Sequence, residues 1–144
     1  SLAVLCGMLD ISFALAAPQE FQFSPQFRKH LSEVVPELDL METTDPKKAV
    51  ESAAVVYTDV WTSMGQESDR LRRKKELEPY RVDETLMRHA PSSIFMHCLP
   101  ARRGEEVTDG VIDGPQSVVV QQAANRMHVQ KGLLAWLLGQ KMKP

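Results

Sequence analysis

Cysteine is scarce in this chain. Cys6 and Cys98 stand alone, which leaves no framework of disulfides and no metal-ligand spacing. A basic excess is lacking too: a net charge of −2 gives no field for nucleic acid or an anionic membrane, either of which calls for surplus Lys and Arg. No apolar run is long enough to span a bilayer, and the one at the start is interrupted by Asp10. That start also lacks an initiator Met and a basic leader, so the small residues Ala14 to Ala17 are read as part of the fold rather than as a signal-peptidase site. Internal repeats and low-complexity tracts are missing. What is present is ordinary globular composition, 43% hydrophobic and 25% charged over 144 residues, enough for one domain with a core and not for two. Two isolated thiols fit a reducing cytoplasm.

The apolar pattern alternates between short continuous runs and helical spacing. Residues 2–9 suit a buried helix and 11–17 a buried strand stopped by Pro18. Ser24-Pro25 is a capping hydroxyl with proline at the first helical position. The helix it opens carries Phe27, Leu31 and Val34/Val35 on one face and ends before Pro36. A strand is expected at 38–41. Asp45-Pro46 repeats the cap and opens a helix through Ala49, Val50 and Ala53; 54–58 is a third strand, apolar throughout as parallel strands covered on both faces are. Residues 69–78 are densely charged. Arg70, Arg72, Arg73, Lys74 and Lys75 could mark a phosphate site, but Asp69, Glu76 and Glu78 balance them, and a solvated helix face is the better reading. Asp83 caps a helix ending at Ala90-Pro91, 102–114 reads as a polar connection, 118–120 as a short extended run, and 121–138 as the last helix. Strand and helix in alternation, with short connections, predict an α/β fold with a mainly parallel sheet.

The stretch 92–100 stands out. Ile94, Phe95 and Met96 form a buried strand that runs into His97-Cys98-Leu99-Pro100, and strand ends of open α/β sheets are where reactive groups collect. His97 and Cys98 are no dyad, because neighbouring strand residues face opposite ways. Cys98 is either a buried structural thiol or functional. The Leu99-Pro100 step, expected to be cis, favours function by aiming backbone carbonyls at a substrate NH₂. Asp59 at the previous strand end and Ser63 in the loop beyond it are either turn residues or partners for a ligand ammonium. Arg126 is either a surface ion pair or a guanidinium for a carbonyl or phosphate oxygen. Cys6, His30, His89 and His128 carry no such case, and Trp61 and Trp136 are expected to pack.

His97-Cys98-Leu99-Pro100, Asp59-Val60-Trp61 with Ser63-Met64-Gly65, and Asn125-Arg126 together resemble the ornithine carbamoyltransferases. The likeness runs in order from Ser1 to Gly139 and matches the second, ornithine-binding domain of that family. It implies a Rossmann-like three-layer sandwich lacking its first strand, with a gap beside 11–17 and 54–58. It also implies carbamoyl transfer from carbamoyl phosphate to the side-chain amine of L-ornithine, in a homotrimer without metal or organic cofactor. Asp59, Ser63 and Met64 are then expected to bind the amino-acid end of ornithine, under a loop that closes at Gly65. Cys98 stands beside the attacking amine, the carbonyls of Cys98 and Leu99 hold the carbamoyl NH₂, and Arg126 its oxygen, with His97 and Pro100 in support. Aspartate-specific relatives carry Pro at the place of Cys98, and acetylornithine-specific ones depart at Ser-Met-Gly, so the match points to free ornithine. The family's phosphate-binding half has no counterpart in these residues. The helix over 121–144 is therefore expected to contact a domain outside them, and an inactive fragment or a non-catalytic amino-acid-binding module is the alternative.

Overall fold

The computed structural model describes residues 1–62 and 67–139. It is an α/β arrangement of parallel strands and helices, as the alternation predicts. The chain opens with α1 (Leu2–Met8), which leads into β1 (Phe13–Ala16). Then α2 (Pro25–Val34) starts where Ser24 Oγ accepts from the Phe27 N–H at 3.2 Å. Its buried Leu31, with Val35, packs on Ala3 of α1. Gly7 is needed there: a Cβ on it would stand 2.6 Å from the Val35 Cβ, a contact no side chain tolerates.

Leu38 is taken up in the turn after α2, its N–H bonding back to the Val35 carbonyl at 3.1 Å. The second strand therefore sits two residues later than the apolar run implied, as β2 (Leu40–Thr43), with Phe13 opposite Leu40. Asp45 Oδ1 accepts from the Lys47 N–H at 2.9 Å and starts α3 (Pro46–Val50). This helix ends short of Ala53 because Ser52 takes a positive φ of 66°, outside helical space. β3 (Val55–Thr58) and β4 (Ile94–His97) pair in parallel, Thr58 opposite His97. Between them lie α4 (Arg70–Leu77) and α5 (Glu84–Met87), the latter capped by Asp83.

The strands form two separate pairs, β1 with β2 and β3 with β4. Among the described residues no ladder joins them. Two segments differ from the sequence reading. Within the supposed polar connection, α6 (Asp109–Ile112) buries Val111 and Ile112; its Thr-Asp-Gly start and Asp-Gly end are also what turns are made of. The run at 118–120 is not extended. Only Ser117 bridges to Phe95, after which Val118 caps α7 (Val119–Leu137), so β-branched propensity yields to tertiary context.

Phe95, fully buried, centres the core with Val56, Val82, Met87, Val107 and Val119. Trp61 is buried as expected, but Trp136 is 72% exposed. Beyond its first turns α7 leaves the core, and Met127, Leu134, Leu137 and Leu138 are exposed with it. The charged stretch is an ion-paired surface: Arg72 meets Asp69, Glu76 and Glu20, and Arg70 and Lys74 share Glu105. Among the described residues no helix is long and apolar enough to cross a membrane.

Glu42 ties β2 to the entry of α2. The Phe23 N–H donates to Oε1 at 2.9 Å and Arg28 Nε to Oε2 at 2.6 Å. Burial raises the affinity of this carboxyl for its proton, but the bonds from Arg28 and Phe23 outweigh it and hold the group below its ordinary 4.5. A depressed folded value means the unfolded chain binds the proton more readily, so the stabilisation is present above that ordinary value and fades as pH falls through the folded one. Glu42→Gln is expected to cost about 1 kcal/mol at neutral pH, read as a lower urea midpoint, with the difference from wild type vanishing in acid.

Candidate active site

The parallel register brings two strand ends to one level. Since Thr58 faces His97 across the ladder, the next residues, Asp59 and Cys98, emerge side by side at the carboxyl ends of β3 and β4. The Cys98 thiol donates to Asp59 Oδ1 at 2.9 Å, and the same oxygen accepts from the Val60 N–H at 2.7 Å. Burial first, then the bond to and charge of Asp59, push the Cys98 thiol above its ordinary value; Tyr57 offsets this only in part. Cys98 is therefore a protonated thiol at neutral pH.

Tyr57, two residues before Asp59 and so on the same side of β3, completes this mouth. Burial, then the neighbouring Cys98 and Asp59, push its phenol up to about 12, opposed by a hydrogen bond from Gln122. Gln122 lies in the second turn of α7 and accepts the His97 N–H at 3.0 Å. Arg126 is one helical turn further, on the same face, exposed and without an ion pair among the described residues. The structure thus puts Tyr57, Asp59, Cys98 and Gln122 together and leaves Arg126 at their edge.

His97 faces inward, away from Cys98, as strand alternation requires. Its ring is fully buried against Glu106, also fully buried. His97 Nε2 lies 3.2 Å from Glu106 Oε1, and Nδ1 accepts the Leu99 N–H at 2.8 Å. Leu99 has a positive φ of 56°, and the Leu99-Pro100 bond is cis as expected. Ser63, Met64 and Gly65 lie outside the described residues. Tyr57, Gln122 and Glu106 were not among the sequence candidates. Tyr57 was open to discovery by strand alternation from Asp59 and Gln122 by helical spacing from Arg126; Glu106, in a polar loop, gave no local sign.

Among the described residues no cluster of three or more His, Cys, Asp or Glu could hold a metal ion. A cleft of about 450 Å³ is lined by Asp45, Lys47, Lys48, Glu51 and His89, none of them at the strand-end mouth. The mouth itself is open. It can order a primary amine or ammonium with carboxylate, thiol and phenol.

The profile of the family described as "Aspartate/ornithine carbamoyltransferase, Asp/Orn binding domain" matches residues 1–137. The ornithine carbamoyltransferase of Staphylothermus marinus is 48% identical over 143 residues, covering 96% of this chain and 45% of its own length. Among solved structures, the ornithine carbamoyltransferase of Pyrococcus furiosus superposes with a TM-score of 0.84 at 45% identity, over 94% of this chain and 44% of that one. The anabolic enzyme of Campylobacter jejuni gives 0.85 at 32% identity, over 98% and 48%. The chain spans about half the length of the relatives it matches.

Proposed function

The chain belongs to the aspartate/ornithine carbamoyltransferase family, and from that membership and the strand-end mouth we propose that it is the ornithine-binding half of an ornithine carbamoyltransferase. The reaction is transfer of the carbamoyl group from carbamoyl phosphate to the side-chain amine of L-ornithine, giving citrulline and phosphate in arginine metabolism. The observation that carries the reading is the Cys98–Asp59 contact beside the Leu99-Pro100 step. One strand end thereby offers a carboxylate for the amino-acid end of ornithine, and the other a thiol and carbonyls for the reacting end.

In this reading Asp59, Ser63 and Met64 hold ornithine, with Gly65 in the loop that closes over it. The carbonyls of Cys98 and Leu99 accept from the carbamoyl NH₂, and Arg126 binds its oxygen. The neutral amine attacks the carbamoyl carbon, the C–N bond forms as the C–O bond to phosphate breaks, and the proton the amine gives up passes to the departing phosphate. Positioning and charge stabilisation supply most of the acceleration. Raising the Cys98 thiol brings its proton affinity nearer that of an alkylamine, which makes proton passage between them less uphill.

The other half of the site belongs to a carbamoyl-phosphate domain outside these residues, and α7 is the element that reaches it. Its exposed Met127, Leu134, Trp136 and Leu137 support that role, since a monomer seldom leaves such a stripe bare. The unjoined edges of the two strand pairs support a further strand between them. A cytoplasmic homotrimer completes the proposal, with no organic cofactor or metal.

The test is citrulline formation by the full-length gene product given carbamoyl phosphate and ornithine. Turnover is expected to climb from neutral pH into the alkaline range as amine and thiol deprotonate, without levelling off below the ordinary thiol value of 9.0, and Cys98→Ala is expected to lower kcat by about 10²-fold. A folded full-length protein that makes no citrulline overturns the reading. If it still binds ornithine by calorimetry, the alternative of a non-catalytic amino-acid-binding module takes its place.

A further inference from the structure

Glu106 is a carboxylate with no exposed surface, facing an imidazole with none. Burying such a charge is costly unless donors meet it. Glu106 Oε1 takes two, the Arg102 N–H and the His97 ring, while Oε2 has no hydrogen-bond partner among the described residues. The hydrogen bonds fix which ring nitrogen carries the proton. Because Leu99 N–H donates to Nδ1, Nδ1 is bare, and the proton is on Nε2, donated to Glu106.

That tautomer sets the direction of a backbone group. Leu99 N–H and the Cys98 carbonyl belong to one trans peptide plane and point in opposite directions. With the N–H drawn inward to the buried ring, the Cys98 carbonyl points away from it, out of the core. Leu99 itself adopts φ +56°, a region a branched side chain enters only when its surroundings impose it. The His97 N–H, held by Gln122 at 3.0 Å, anchors the segment on its other side.

We infer that Glu106 is a positioning residue: through the His97 ring it aims the Cys98–Leu99 backbone at the group those carbonyls bind. This rests on the proposed carbamoyl transfer for what is bound, and on the geometry alone for the aiming. Without Glu106 the ring is free to move its proton to Nδ1, which sets one donor against another at Leu99 and releases the plane.

The experiment compares Glu106→Ala and Glu106→Gln in the full-length protein. The Gln side chain can accept both bonds through its oxygen; Ala accepts neither. E106A is expected to raise the carbamoyl phosphate KM at least tenfold and lower kcat by about 10²-fold, the scale of displaced catalytic groups. The ornithine KM at saturating carbamoyl phosphate should stay within about twofold, and E106Q within about threefold of wild type in all constants. A loss that tracks only the folded fraction, with both KM values unchanged, overturns the inference, as does E106Q being as impaired as E106A.

Nitrogen-15 NMR of the His97 ring decides the matter separately. A bare Nδ1 and protonated Nε2 in wild type and E106Q support it; the reverse tautomer or an imidazolium overturns it, even if E106A does not fold. A wild-type protein that makes no citrulline sinks the carbamoyl-transfer reading, while the tautomer result still stands or falls on its own.

Discussion

Asp59→Ala in the full-length protein is expected to raise the ornithine KM by about 30- to 4,000-fold. The range follows from the roughly 2–5 kcal/mol lost when one partner of a desolvated charge pair is removed. Asp59 is exposed at the end of β3, so in the open mouth its carboxylate is wet. In the proposed reading its worth as an ammonium partner comes only when water is excluded around it. Asn at this position keeps an acceptor for the Cys98 thiol and loses the charge, so Asp59→Asn separates two effects. The bond and the charge both raise the Cys98 thiol. Removing the charge lets the thiol ionise at lower pH, and the alkaline rise of the rate should move to lower pH in the Asn variant. Steady-state kinetics over a pH series reads both. An ornithine KM unmoved by Asp59→Ala would remove Asp59 from the binding site.

Phe95→Ala is the largest stability loss expected, about 3–5 kcal/mol in urea denaturation. Phe95 has no exposed surface and stands opposite Val56 in the ladder. Its N–H donates to the Gln116 carbonyl at 2.8 Å, and its own carbonyl accepts from Val118 at 3.0 Å. The ring therefore lies where β4 meets the segment that launches α7, and a void there cannot be closed by one neighbour shifting. Against a total stability of about 5–15 kcal/mol for a domain, this loss leaves little. Val55→Ala, on the same ladder but 45% exposed, serves as the control and should cost under about 1 kcal/mol. A midpoint for Phe95→Ala close to that of the control would show that the core is not centred here.

What was legible in the residues was local. Ser24, Asp45 and Asp83 announce their helices because a side-chain oxygen reaches an amide two or three residues on, and nothing distant is needed. Apolar runs marked the strands for the same reason, with errors where a neighbour took over. Leu38 was claimed by a turn onto Val35, and Val118 by a helix that bridges only briefly to Phe95. Trp136 was misplaced because size and hydrophobicity say that a side chain should be covered, not whether this segment contains its cover.

The candidate mouth divides along the same line. Strand-end position raised His97, Cys98, Leu99 and Pro100, and separately Asp59, as candidates, and the family resemblance gave them roles. That Cys98 meets Asp59, that Tyr57 and Gln122 join them, and that Glu106 sets the tautomer of His97 depend on register and on a loop returning from beyond Arg102. These are contacts between residues far apart in the chain, and no local preference encodes them. The strand that ends in His97-Cys98-Leu99-Pro100 is thus a property of its own sequence; the direction in which its carbonyl points belongs to a buried carboxylate that only the packed core brings beneath it.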